Sequence, residues 1–208
     1  MPLNLPIVLT ISRIVVIPAL IGAFYLPIEA ANWTTFVLFG LAGITDFFDG
    51  WLARRWGEVS RLGRFLDPVA DKLLVAAAIL MMVASRRIAG VSVLAAVVIL
   101  CREILVTGLR EFLAEIRVAV PVSRLAKWKT TVQFIAIGFL LIGNSGPAAA
   151  HLPALGLLGL WAAAILTLYT GYDYLRAGLK HLTEAEPAAP AGGARKPADF
   201  ASGDKFVS

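Results

Sequence analysis

The chain has 208 residues, of which 59% are apolar and only 16% charged, with a mean hydropathy of +0.79. Soluble domains carry about a quarter of their residues charged, so this balance argues against one and predicts an integral membrane protein. The net charge of +5 does not imply nucleic acid, because membrane proteins gather Lys and Arg on the cytoplasmic side, and the single cysteine, Cys101, excludes a disulfide framework.

In chain order, apolar blocks of about the 20 residues needed to cross a bilayer predict an all-α fold with six spans, at 5–27, 33–55, 66–85, 88–112, 125–144 and 153–180. The first reads as a retained helix and not a cleaved signal: no basic residue precedes it, Arg13 interrupts it, and further spans follow. Turn chemistry marks the breaks "LPIEAANW", "SRRIAG" and "GNSGPAAAHLPA". Arg54, Arg55, Arg61 and Arg64 follow span two; Arg110, Arg117, Arg124, Lys127 and Lys129 lie between spans four and five; Arg176 and Lys180 sit near the end. On the other side only Arg86 and Arg87 dissent, so both termini are expected in the cytoplasm. From about Thr183 the chain turns to Pro, Ala and Gly. This predicts a membrane domain over 1–181 and a disordered cytoplasmic tail over 182–208.

Ionisable residues concentrate in "TDFFDGWLARRWGEVSRLGRFLDPVADKLL", residues 45–74. Asp46 and Asp49 are three apart on span two, and Asp67 and Asp71 four apart on span three, so each pair shares a helical face. The basic turn between them is expected to set the two helices antiparallel, with the pairs facing at one depth. Pro68 disfavours helix at Asp67 and suggests that span three starts or bends there. A charged Asp at mid-span costs roughly 2.5–3.5 kcal/mol. Four that converge must either protonate or bind cations, and carboxylate oxygens suit Mg²⁺ or Mn²⁺. The plainer alternative is four aspartates salt-bridged to Arg54, Arg55, Arg61 and Arg64 at the membrane edge. Gly50, Ala53 and Gly63 are small enough for close helix approach or for a ligand to reach the backbone.

Written as Asp46-x2-Asp49-Gly50-x2-Ala53-Arg54-x8-Gly63-x3-Asp67-x3-Asp71, the stretch resembles the signature of the CDP-alcohol phosphatidyltransferases at all eight positions. The resemblance implies a six-helix membrane domain that forms a homodimer. It also implies that Asp46, Asp49, Asp67 and Asp71 hold two divalent ions, Mg²⁺ or Mn²⁺, on the diphosphate of a CDP-linked lipid. Asp71 would serve in addition as general base, while Gly50, Ala53, Arg54 and Gly63 would lie on the nucleotide side. No covalent nucleophile is expected, since His151 and His181 lie away from the aspartates and a direct displacement needs neither.

Two later stretches, "REILVTGLREFLAE" (102–115) and "VPVSRLAKWKTTVQ" (120–133), resemble the branch of that family whose donor is CDP-diacylglycerol and whose acceptor is sn-glycerol 3-phosphate. "NLPIVLTISRIVVIPAL" (4–20) is similar too, with Ile7 where that branch has Asn. A phosphorylated acceptor needs cations, and Arg110, Lys127 and Lys129 cluster at the predicted cytoplasmic mouth, with Ser123 able to donate to a phosphate oxygen. Alternatives are another acceptor (serine, inositol phosphate or phosphatidylglycerol) or, from another class, a divalent-cation transporter. The transporter reading expects acids on both sides, whereas Glu29 is the only acid in the far-side breaks. Arg13 and Arg102 are expected to snorkel to the headgroups, or else to reach the diphosphate or acceptor. Glu103 and Glu111 are expected to neutralise nearby arginines.

Overall fold

The computed structural model describes residues 5–56, 61–115, 124–147 and 151–184. Within these helices the side chains at 5–10, 47–56, 61–65, 67, 115, 124–127, 177 and 179–184 lie outside the described set. The proposed tail lies outside it from residue 185 onward. Every regular element among the described residues is helical: α1 (Leu5–Ala23), α2 (Ile28–Trp56), α3 (Arg61–Ala84), α4 (Ser92–Glu115), α5 (Arg124–Ile142), a short 3-10 turn (Gly143–Ser145) and α6 (Leu152–Glu184).

Each predicted span coincides with a helix, but the boundaries shift. α2 starts at Ile28, five residues earlier than expected, with the Ala31 amide donating to the Pro27 carbonyl. α3 starts at Arg61, so Pro68 lies inside that helix and does not open it. Two stretches among the described residues, Ser92–Ala114 and Leu152–Arg176, are long and apolar enough to cross a membrane. α2 is interrupted by Glu29, Asn32 and Asp46, and α3 by Asp71 and Lys72. Large apolar side chains such as Leu80, Leu94, Ile104, Leu158 and Ile165 are exposed over the outside of the bundle, which suits lipid and not water.

α1 packs against both α2 and α3, whereas α2 and α3 touch each other over few described residues. The aspartate helices thus flank α1 more than each other. The core runs through Leu20, Phe39, Leu74, Ile79, Ile99, Ile137, Leu141 and Leu160. Phe39 on α2 stacks on Phe134 of α5 at 4.3 Å between centroids, and the Phe134 ring lies where a Cβ on Gly43 would project. α6 approaches α5 at glycine: a Cβ at Gly159 would lie 2.9 Å from that of Ala136.

The far end explains Arg86 and Arg87. Arg86 takes a left-handed conformation (φ 59°) after α3, and the Arg87 amide reaches back to the Met82 carbonyl, the 6→1 bond of a Schellman cap. Arg87 then donates to the Leu141 carbonyl at the C-terminal end of α5 and lies over the Phe24 ring. A cation there meets the negative pole of α5, so it serves packing and says little about orientation.

Candidate active site

Asp46 on α2 and Asp71 on α3 open on the same cleft. It holds about 590 Å³ and is lined by these carboxylates with Gly40, Gly43, Thr130, Thr131 and Phe134. α5 supplies its other wall through Thr130 and Phe134, one helical turn apart. Asp49, Gly50, Ala53 and Arg54 follow in α2, and Gly63 and Asp67 precede Asp71 in α3, but the side chains at these positions lie outside the described set. Among the described residues no three His, Cys, Asp or Glu converge. Asp46 and Asp71 nonetheless fit a hard divalent cation, because both are carboxylates and they enter one cleft from separate helices.

Arg13 does not snorkel. Its side chain is 1% exposed and its guanidinium lies 2.7 Å from the Asp46 carboxylate, which is itself 46% exposed. α1 therefore carries a positive charge to Asp46, where it offsets an acid that α2 bears in an apolar helix. Arg102 does not snorkel either: it donates to the Thr170 hydroxyl on α6 at 2.9 Å, and Gly171 leaves room for its stem.

A second charged chain runs away from Asp71. Lys72 lies 3.1 Å from the Asp71 carboxylate and 2.7 Å from that of Glu103 on α4. The other Glu103 oxygen accepts from Lys129 on α5, and both of those residues are buried. Glu103 thus pairs with the neighbouring Arg102, as expected, at 3.8 Å, and more closely with two lysines that were not expected. The chain Asp71–Lys72–Glu103–Lys129 ties three helices together. Beside it lies a small cavity of about 40 Å³, lined by Asp71, Lys72, Glu103, Thr130 and Gln133 among others, which adjoins the main cleft through Asp71, Thr130 and Phe134.

Of the cations expected on an acceptor phosphate, Arg110 is exposed on α4, while Lys129 is buried against Glu103. Lys127 lies on α5 with its side chain outside the described set, and Ser123 lies outside it altogether. Lys72 and Gln133 drew no expectation from the sequence. A lysine within a membrane helix is itself a signal, but Gln133 becomes visible only through what surrounds it.

Residues 3–169 match the sequence model of the CDP-alcohol phosphatidyltransferases. The chain belongs to that family. A Rickettsia felis protein named CDP-diacylglycerol–glycerol-3-phosphate 3-phosphatidyltransferase is 47% identical over 178 residues, covering 86% of this chain and 97% of the relative. Proteins of the same name from Haemophilus influenzae (41% identical, 85% of this chain and 94% of theirs) and Sodalis glossinidius (42%, 88% and 100%) are similar. As a CDP-alcohol phosphatidyltransferase, the chain has its signature aspartates on α2 and α3, and the two described ones share one cleft.

Proposed function

We propose that the chain is a CDP-diacylglycerol–glycerol-3-phosphate 3-phosphatidyltransferase. It moves the phosphatidyl group of CDP-diacylglycerol onto the primary hydroxyl of sn-glycerol 3-phosphate, giving phosphatidylglycerophosphate and CMP. The observation that carries this reading is that relatives bearing that name align at 41% to 47% identity over nearly their whole length. The shared cleft of Asp46 and Asp71 supports it.

In the reaction the acceptor oxygen bonds to the phosphatidyl phosphorus, the phosphoanhydride bond breaks, and CMP leaves with the electron pair. Catalysis of such a displacement is mostly positioning and charge stabilisation. Asp71, at the junction of the two cavities, takes the acceptor proton. Asp46, Asp49, Asp67 and Asp71 would hold two divalent ions, Mg²⁺ or Mn²⁺, whose charge would offset that of the diphosphate. Gly50, Ala53 and Gly63 let the nucleotide approach the backbone, and Arg54 meets its phosphate charge. Arg110, Ser123 and Lys127 receive the acceptor phosphate, whereas Lys129, also expected there, is held by Glu103.

The enzyme crosses the bacterial inner membrane six times, with both termini and the site on the cytoplasmic side. It works as a homodimer, and residues 182–208 form a tail outside the chemistry. Hydrophobic outer surfaces and the arginines at the facing ends of α2 and α3 in the sequence, Arg54, Arg55, Arg61 and Arg64, support this placement. Detergent-purified protein with CDP-diacylglycerol and Mg²⁺ or Mn²⁺ should release CMP only when glycerol 3-phosphate is added. Release with serine or inositol phosphate, and none with glycerol 3-phosphate, would reassign the acceptor.

A further inference from the structure

Gln133 stands on α5 one helical turn beyond Lys129, is 4% exposed, and has a side-chain oxygen without a hydrogen-bond partner among the described residues. Buried amide oxygens are almost always paired, so an unpaired one beside a cavity is a place for a ligand's donor. The small cavity supplies that setting. Its other charged groups, Asp71, Lys72 and Glu103, are tied to one another by ion pairs, and the second Glu103 oxygen is taken by Lys129.

A carbonyl oxygen accepts from a hydroxyl but not from a phosphate oxygen, which has no proton to give in the dianion. Asp71 and Gln133 line this one cavity, and an acceptor with hydroxyls on adjacent carbons can address both. The volume of about 40 Å³ exceeds the roughly 10–15 Å³ that a single water needs, leaving room for part of a small polyol.

We propose that Gln133 determines acceptor specificity: its Oε1 accepts a hydrogen bond from the secondary, non-reacting hydroxyl of glycerol 3-phosphate while the primary hydroxyl meets Asp71. This rests on the functional reading above. A ligand without the secondary hydroxyl would leave Oε1 to water.

The test compares glycerol 3-phosphate with 3-hydroxypropyl phosphate, which lacks that hydroxyl, in the wild type, Gln133→Met and Gln133→Glu. The wild type should prefer glycerol 3-phosphate by about 10- to 100-fold in kcat/KM. Gln133→Met should bring that ratio near one by losing glycerol 3-phosphate turnover alone, while Gln133→Glu, which keeps an acceptor oxygen, retains a preference. An unchanged ratio in Gln133→Met overturns the proposal. Equal use of both acceptors by the wild type overturns it as well, whether or not the variants fold. Normal transfer to glycerol 3-phosphate with a flat ratio removes only this inference, whereas no transfer to glycerol 3-phosphate removes the parent reading with it.

Discussion

The guanidinium of Arg13 on α1 lies 2.7 Å from the carboxylate of Asp46 on α2, with the arginine side chain 1% exposed and the aspartate 46% exposed. The two ends of this pair are unequally placed, so losing one is not equivalent to losing the other. Asp46→Ala removes a counter-charge from a buried cation and is expected to cost about 3 kcal/mol, or roughly 6–12 °C in Tm for a chain of this size. Arg13→Met leaves a carboxylate that water already reaches, and should cost about 1 kcal/mol or less. Thermal unfolding in metal-free detergent checks the asymmetry; equal losses would show that exposure does not govern the pair.

Asp71→Asn keeps the shape of the side chain but removes its capacity to take a proton. Turnover should fall by at least about 100-fold, while the fold and part of the CDP-diacylglycerol binding remain. CMP release under saturating acceptor is the measurement, and wild-type turnover would remove Asp71 from its role as base.

Chelation should separate binding of the liponucleotide from folding. The proposed carboxylate ligands carry charge that repels a diphosphate, so EDTA is expected to abolish CMP release, with Mg²⁺ or Mn²⁺ restoring it. Full activity in a chelated, dialysed sample would exclude the proposed ions.

Glu103 holds two lysines at once, and Lys129 is buried beneath it. Glu103→Gln leaves that ammonium without a counter-charge and should destabilise the protein by about 3 kcal/mol. Adding Lys129→Met removes the stranded charge, so the double variant should melt above Glu103→Gln alone. Additive losses in this double-mutant cycle would mean that the pair contributes no coupling.

Gly43 faces the ring of Phe134, which occupies the space a Cβ would take. Gly43→Ala should cost about 1–3 kcal/mol by overpacking and raise KM for the lipid donor, since both residues line the cleft. Phe134→Leu in the same chain should recover part of both. An unchanged melting temperature in Gly43→Ala would show that the ring moves aside freely.

Much of the architecture was legible because hydropathy reports where helices run. The expectation that Asp46 and Asp71 serve one site agrees with the cleft they share, and it needed only helical periodicity. What the sequence did not carry was the neighbour across each face. Arg13 and Arg102 were expected to reach headgroups, or else the diphosphate or acceptor, as isolated side chains in an apolar helix would; they pair with Asp46 and Thr170, and Glu103 adds Lys72 and Lys129 to the neighbouring Arg102 expected for it. Pro68 was expected to open or bend α3, and it does not open it: the helix begins seven residues earlier, at Arg61. Lys129 looked like a solvent-facing cation because a count of Lys and Arg carries no depth.

The Gly159–Ala136 approach has a bearing on how a two-tailed donor reaches the chemistry. Helices seated this closely move as one body, so the side of the cleft that carries Thr130 and Phe134 is effectively a fixed jamb. Whatever widening admits the acyl chains is expected on the opposite side, where α2 and α3 share few contacts among the described residues and are joined mainly through α1.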